Sequence, residues 1–174
     1  LSNAYVSGGT VIQFLRSPDE TRIAYAGDLD VSGEVEVYSA LSSVAGTEIK
    51  ISNPPVPGGG GVLGEVQFTG DGSKVVYEGA FTTVGVSELY SASPAATGTQ
   101  IKISEPPPPG GGLASFKCVP TGAGVVYRGD FDTDNVFELY HATATAPGTQ
   151  RKLNNTPVSG GDVGTFHITP DGSR

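Results

Sequence analysis

The chain repeats itself at intervals of about 50 residues, and this period constrains the fold more than any other feature. Tyr25, Tyr77 and Tyr127 are 52 and 50 residues apart. The same spacing relates three further sets: Tyr38, Tyr90 and Tyr140; Gly46, Gly98 and Gly148; and Phe14, Val66, Phe116 and Phe166. A regular internal period indicates one supersecondary unit that is copied and stacked, because a single copy cannot bury its own apolar surface.

Each unit consists of four short apolar segments that are separated by turn residues. In the second unit the predicted strands are EVQF at 65–68, KVVY at 74–77, VSELY at 86–90 and TQIKI at 99–103. The turn Thr69-Gly70-Asp71-Gly72 suits a hairpin, since Asp bonds its own backbone and Gly accepts a positive φ. The continuous Val-Val-Tyr run of the second strand predicts burial on both faces of the sheet.

Four strands in each unit of about 50 residues predict the blades of a β-propeller. The fold class is therefore all-β, with four-stranded antiparallel sheets and about three and a half repeats. A solenoid is the weaker alternative, because its repeats are usually shorter. Within a single segment 1–174, the predicted blades are 11–53, 63–105 and 113–155, with a partial fourth blade at 163–174 that begins with the strand TFHI at 165–168.

The turn and strand pattern resembles the blade repeat of TolB-like, WD-repeat-like bacterial β-propellers. The resembling stretches run from Phe14 to Tyr25, from Val66 to Tyr77, from Phe116 to Tyr127 and from Phe166 to Arg174. Glu20 and Thr121 depart from the turn pattern. The resemblance implies the propeller fold, and the family includes periplasmic binding scaffolds, domains beside peptidase catalytic domains and repeats of large surface proteins.

Charge and hydropathy narrow the classes of partner. The net charge of −8 repels phosphate backbones, so nucleic acid is not an expected partner. No apolar run approaches the ~18 residues of a membrane span. The sequence starts in the middle of the pattern without Met or a secretory leader, and we expect it to be processed or part of something larger.

Asp130, Asp132 and Asp134 are the candidate metal ligands of the chain. They lie two residues apart in the loop after the second strand of the third unit, where carboxylate oxygens favour calcium. The middle copy of this loop has Ala80 and Thr82 at the first two positions, which favours the alternative that the acids are turn residues. Calcium is the single cofactor that the sequence suggests, and no other is expected.

Glu36, Glu88 and Glu138 recur in every third strand, and Lys50, Lys102 and Lys152 follow each of them by 14 residues. This fixed offset predicts a cross-strand ion pair near the rim of every blade. The alternative is a repeated carboxylate that binds a ligand. We favour the ion pair.

Four other residues invite a functional interpretation. Cys118, the one cysteine, is interpreted as a small core residue. His141 and His167 do not recur, and we interpret them as surface or core residues and not as catalysts. Asn154 begins the sequon Asn154-Asn155-Thr156 and is a candidate N-glycosylation site.

The pattern predicts a non-enzymatic structural module of an extracellular or cell-surface repeat protein, with a periplasmic location as the alternative. A ring needs ~4–8 blades, so three blades should pack on further blades of the same protein or on copies of the chain, and contacts that do not close would give filaments. The alternative function is a piece of a ligand-binding or enzyme-associated propeller with a site in its central channel.

Overall fold

The computed structural model describes residues 6–173, in which twelve strands and no helix occur. The strands are β1 (Val11–Arg16), β2 (Arg22–Gly27), β3 (Glu36–Leu41), β4 (Ile49–Lys50), β5 (Gly61–Phe68), β6 (Val75–Ala80), β7 (Glu88–Ala92), β8 (Ile101–Lys102), β9 (Leu113–Cys118), β10 (Gly124–Gly129), β11 (Glu138–Thr143) and β12 (Arg151–Lys152).

The strands form three separate four-stranded antiparallel sheets. Sequence-adjacent strands pair within each sheet, so that β1–β4 form blade 1, β5–β8 form blade 2 and β9–β12 form blade 3. The fold is all-β and consists of propeller blades, as the repeat predicts. The fourth strand of each blade is two residues long, which is shorter than the sequence pattern suggests.

The recurring tyrosines form one row across each blade. In blade 2, Val66 pairs with Tyr77, Tyr77 pairs with Tyr90, and Tyr90 pairs with Lys102. The two tyrosine rings of each row are stacked, with centroids 5.6, 6.3 and 5.7 Å apart in blades 1, 2 and 3. Residues directly opposite one another in a sheet point to the same face, so each blade has a tyrosine face.

The opposite face of each blade is aliphatic. Its central residues are Val37 and Ile51 in blade 1, Leu89 and Ile103 in blade 2, and Leu139 and Leu153 in blade 3. One hydrophobic cluster joins the aliphatic face of blade 1 to the tyrosine face of blade 2, and a second joins blade 2 to blade 3 in the same way. The core therefore lies between the sheets.

Glutamine side chains join the backbones of neighbouring blades. Gln13 accepts a hydrogen bond from the Val66 N–H at 3.1 Å and donates one to the Val66 carbonyl at 3.4 Å. Gln100 of blade 2 accepts from the Asn53 N–H at 2.8 Å, and Gln150 of blade 3 accepts from the Glu105 N–H at 2.9 Å. These bonds satisfy backbone groups that the short strands leave unpaired.

The glycine-rich runs are connectors that cross closely from one blade to the next. The Val62 N–H donates to the Val35 carbonyl at 2.8 Å, and the Val35 N–H donates to the Gly60 carbonyl at 3.1 Å. Gly61 has a φ of 76°, and a Cβ at this position would collide with the Val35 carbonyl. Glycine is required here because the two chains approach too closely for a side chain.

The predicted strand at 165–168 does not form among the described residues, and this expectation was wrong. Its turn does form, with the Gly172 N–H donating to the Thr169 carbonyl at 2.8 Å. The connector that follows blade 3 makes the same backbone bond as the other two connectors. Its Val163 N–H donates to the Phe137 carbonyl at 2.8 Å. The first strand of a blade pairs only with its second strand, and the sequence contains no second strand for this unit.

Shortening Leu89 to Ala tests whether the contact between blades 2 and 3 holds the fold together. Leu89 is fully buried in the cluster that joins them, so the cavity should lower the free energy of unfolding by about 2–5 kcal/mol in urea denaturation. Val84→Ala is the control, because Val84 is 58% exposed and should change stability by less than ~0.5 kcal/mol. Equal effects of the two variants would contradict the packing role.

Candidate functional site

The structure gives the three candidate calcium ligands separate roles. Asp130 is buried and accepts hydrogen bonds from the N–H groups of Gly112 at 2.7 Å and Asn135 at 2.9 Å. Asp132 binds the Lys152 ammonium at 2.7 Å, and exposed Asp134 accepts from the Asn135 side chain at 2.8 Å. Within residues 6–173 no three His, Cys, Asp or Glu side chains are arranged to hold a metal ion. This geometry favours the turn interpretation, and calcium stays a prediction.

The loop of blade 1 repeats the role of Asp130. Asp28 accepts hydrogen bonds from the N–H groups of Thr10 at 2.7 Å and Gly33 at 3.2 Å, so it closes its own loop and holds the incoming connector. These bonds from backbone N–H groups lower the pKa of Asp28. A carboxylate that accepts two N–H bonds is a structural cap, and no ligand is needed to explain it.

Every blade contains a cluster of one glutamate, one tyrosine and one lysine, which we call the Glu-Tyr-Lys cluster. In blade 2, Glu88 binds Lys102 at 2.7 Å and accepts hydrogen bonds from Tyr90 at 2.7 Å and Thr82 at 2.6 Å. The corresponding Glu–Lys distances are 2.9 Å in blade 1 and 2.8 Å in blade 3. Asp30 and Asp132 stand in place of Thr82 and bind the same lysine.

The predicted Glu–Lys pairing is confirmed in all three blades, and the glutamates are more deeply buried than the sequence offset indicates. The side chains of Glu36, Glu88 and Glu138 are only 2–3% exposed. The register places each lysine opposite the tyrosine and not opposite the glutamate, so the lysine reaches the carboxylate diagonally. The tyrosine hydroxyl donates to the same glutamate in each blade.

Burial and hydrogen bonding oppose one another at Glu88. Burial raises the pKa of this carboxyl, but hydrogen bonds from Lys102, Thr82 and Tyr90 outweigh burial and lower the pKa overall. The pKa of Tyr90 is raised, mainly by burial. Hydrogen bonds to Asp132 and Glu138 raise the pKa of Lys152. Glu88 and Lys152 are therefore charged and Tyr90 is neutral at pH 7, an arrangement that stabilises structure.

Asn154 occupies a repeated structural position. Its side-chain oxygen accepts a hydrogen bond from the Leu139 N–H at 2.7 Å, as the Ser52 and Ser104 hydroxyls do for the third strands of their blades. Its amide nitrogen donates to the Asn155 carbonyl at 2.7 Å. The side chain is half-buried and engaged at both ends. N-glycosylation at Asn154 stays a prediction, and it requires the Asn155 bond to break.

The cysteine and the histidines occupy different environments. Burial raises the pKa of the Cys118 thiol to about 12, with Glu65 and Asp71 adding to the effect, so the thiol is an unreactive partner of the core. His167 is exposed. His141 is half-buried, and burial followed by the charge of Arg151 lowers its pKa, so it is neutral at pH 7.

A groove of about 670 Å³ lies along the aliphatic face of blade 3. Its floor includes Val126, Leu139 and Leu153, and residues 166–168 form its opposite side. Leu153 is 45% exposed, whereas its counterparts Ile51 and Ile103 are covered by the next blade to 0% and 1%. The groove thus lies where a neighbouring sheet covers the other two blades.

The groove differs from the covered faces in its polar residues. His141 stands where blade 2 has Ser91, and Arg151 stands where blade 2 has Ile101. The Arg128 guanidinium lies 4.0 Å from the centre of the Phe137 ring and donates to the Val163 carbonyl. Sequence reasoning did not locate this groove, although the repeat aligns Leu153 with Ile51 and Ile103.

Comparisons with known proteins support the fold. No protein-family model and no curated protein matches the sequence. Among solved structures, prolyl oligopeptidase B from Galerina marginata in the apo form matches with a TM-score of 0.62 at 14% identity, over 85% of this chain and 22% of that one. A structure from a study of two prolyl endopeptidases matches with a TM-score of 0.56 at 13% identity, again over 85% and 22%.

These similarities support the fold and nothing further, because the sequence identity is far below 25%. The chain spans only about a fifth of the length of either protein. They agree with the β-propeller architecture that the repeat predicts. In the described part of the chain, no helix is both long enough and apolar enough to cross a bilayer.

Replacing Glu88 with Gln tests the Glu-Tyr-Lys cluster of blade 2. The variant should lose about 1–3 kcal/mol of unfolding free energy at pH 7, because Lys102 loses a charged partner at a site that burial has desolvated. A lowered folded-state pKa stabilises the protein above the pKa of the unfolded state, and this contribution is lost as pH falls through the folded value. Urea denaturation between pH 7 and pH 3 should therefore give a shallower pH dependence for Glu88→Gln than for the wild type.

A matched control is Glu34→Gln, a glutamate that lies outside the three clusters. It should leave the stability and its pH dependence nearly unchanged. If Glu88→Gln and Glu34→Gln have the same pH profile, the buried cluster does not contribute the pH-dependent stability assigned to it.

Proposed function

We propose that the chain is a non-enzymatic structural and interaction module, whose role is to present stackable blade faces. The observation that carries the proposal is the groove beside Leu153, where an aliphatic blade face stays open although the same face is covered in blades 1 and 2. An open apolar face of this kind is typical of a surface that binds protein. The module would pack on blades of the same protein or on copies of itself.

The use of the charged residues supports a structural role. The glutamate and lysine that recur in every blade satisfy one another within the Glu-Tyr-Lys clusters. Asp28 and Asp130 cap loops through backbone N–H groups. The repeated acidic residues therefore stabilise the blades. Their carboxylates are bound to groups of the protein, whereas a catalytic carboxylate would face a substrate.

An extracellular or cell-surface location is part of the proposal, with the periplasm as the alternative. The strongly acidic composition suits a soluble exterior, and the loops 91–99 and 141–149 are rich in Ser, Thr, Ala and Pro. The resemblance to TolB-like, WD-repeat-like bacterial propellers is compatible with either location. Self-assembly would give larger particles if the blade contacts close and filaments if they do not.

Size-exclusion chromatography with light scattering over a wide range of concentration tests the proposal. The expected result is a folded protein whose mass rises above that of one chain as its concentration rises. A well-folded chain that stays monomeric at every concentration would contradict self-packing as its function.

A second candidate is a propeller segment that serves an enzyme or binds a ligand in a central channel. The observation that favours it is that both solved structures reported above are prolyl peptidases. This candidate predicts that a polypeptide containing this segment cleaves peptides after proline. Absence of cleavage by a folded polypeptide that carries the segment with its neighbouring sequence would count against the candidate.

A further inference from the structure

Two of the connectors between blades contain a short proline-rich segment whose first and last prolines are exposed. Residues 54–57 read Pro-Pro-Val-Pro and residues 106–109 read Pro-Pro-Pro-Pro, at equivalent positions of the repeat. We call these segments ridge 1 and ridge 2. In each ridge the first and the fourth residue are exposed, and the two residues between them are buried or half-buried. Both ridges therefore present the same pair of prolines to solvent.

The proline content explains this pattern of exposure. Proline fixes its own φ at about −65° and drives the residue before it towards the polyproline II conformation. Every residue from 105 to 108 precedes a proline, and these four residues belong to no strand or turn. Polyproline II has three residues per turn, so the first and fourth residues of a ridge lie on one edge, about 9 Å apart.

Hydrogen bonds hold both ends of each ridge in place. At the start of ridge 2, the Glu105 N–H donates to the Gln150 side chain at 2.9 Å. Near its end, the Gly111 N–H donates to the Pro108 carbonyl at 2.9 Å. Ridge 1 is held by bonds at the equivalent positions. A segment that is already ordered loses little conformational entropy when it binds a partner, so the ridges are preformed ligands.

The third connector shows that the repeat does not need these exposed prolines. Residues 156–159 read Thr-Pro-Val-Ser, so Thr156 and Ser159 stand at the two exposed positions. The connector still closes with the same bond, from the Gly161 N–H to the Val158 carbonyl at 2.8 Å. The exposed prolines of ridges 1 and 2 therefore call for an explanation other than the shape of the connector.

Ridge 2 has an acidic residue at each end. Exposed Glu105 precedes it, and a Cβ added to Gly110 just after it would lie 2.7 Å from the Asp134 carboxylate. Ridge 1 has Asn53 and Val84 at the corresponding positions of the repeat. A partner with basic groups would therefore bind ridge 2 more tightly than ridge 1.

From these observations we propose that ridge 2, and ridge 1 more weakly, bind a protein domain that recognises polyproline II through a groove lined by aromatic side chains, with basic residues at its rim. The grooves of WW domains bind proline-rich segments in this way. Pro106 and Pro109 are the contact residues of ridge 2. The ridges belong to connectors and not to the faces of the sheets, so this surface serves a partner beyond the proposed packing of blades.

Isothermal titration calorimetry with a purified WW domain that has a basic rim tests the proposal. The wild-type chain should bind the domain, and Pro106→Ala combined with Pro109→Ala should raise the dissociation constant at least tenfold. The same pair of changes in ridge 1 should have a smaller effect. Thr156→Ala combined with Ser159→Ala is the matched control at the equivalent positions, and it should bind as the wild type does.

A gain of binding guards against loss by misfolding. A variant with alanine at all four exposed ridge prolines should no longer bind the WW domain. Adding Thr156→Pro and Ser159→Pro to this variant should restore binding, because residues 156–159 then have the sequence of ridge 1. A folded chain with this third ridge that does not bind would contradict recognition of the exposed proline pair.

The acidic ends of ridge 2 have a separate test. Glu105→Gln should raise the dissociation constant severalfold and make binding less sensitive to salt, because an attraction to the basic rim is lost. Glu34→Gln is the control, since Glu34 is exposed and lies outside both ridges, and it should change neither quantity. Equal affinity and equal salt dependence of the two variants would show that the basic rim is wrong.

The outcomes separate this inference from the proposed packing function. The ridge variants leave the blade faces unchanged, so they should sediment as the wild type does. A folded wild type that does not bind the WW domain, or that binds no better than the variant without ridge prolines, would overturn this inference and leave self-packing untouched. A wild type that binds the domain but stays monomeric at every concentration would support this inference and contradict self-packing.

Discussion

Burial between sheets is the constraint on which the rest of the structure depends. Each sheet has an apolar residue set on both faces, and the two large hydrophobic clusters each join neighbouring blades. A single blade has no interior of its own, so its strands gain apolar burial only from a neighbour. The register, the connectors and the glutamine bridges all serve to keep the faces in contact.

The Glu-Tyr-Lys cluster solves a problem that this packing creates. In blades 2 and 3 the lysine of the edge strand and the glutamate of the third strand lie beside a tyrosine, on the face that packs against the preceding blade. A buried charge is tolerated when it is paired and hydrogen-bonded, and each glutamate has both kinds of partner. The repeated charges, for which the sequence favoured an ion pair over a ligand site, are paired beside the stacked tyrosines.

The sequence predicted the strands and their order well because the repeat samples the same pattern several times. Tyr25, Tyr77 and Tyr127 marked the second strands, and the turn at 69–72 marked the hairpin. The burial of Glu88 was missed because a 14-residue offset gives the pairing but not the register, which is diagonal. The strand at 165–168 was wrong because a local pattern cannot supply the partner strand that pairing needs.

The candidate site was less predictable than the fold. The spacing of Asp130, Asp132 and Asp134 allowed a calcium ligand set but favoured turn residues, and their side chains bind an N–H pair, a lysine and an asparagine. The groove beside Leu153 has no motif, because it consists of ordinary blade residues that lack a covering sheet. The comparison of burial at equivalent positions distinguishes Leu153, which is 45% exposed, from Ile51 and Ile103, which are buried.

Native-state hydrogen exchange in low concentrations of denaturant tests most directly whether each blade stays folded only while its neighbour is folded. The amides of β2, β6 and β10 report on the three sheets separately. Because blades 1 and 3 both pack against blade 2, we expect that blade 2 does not open while blades 1 and 3 stay protected. Full protection of blade 3 under conditions in which blade 2 has already exchanged would contradict the dependence of each blade on its neighbour.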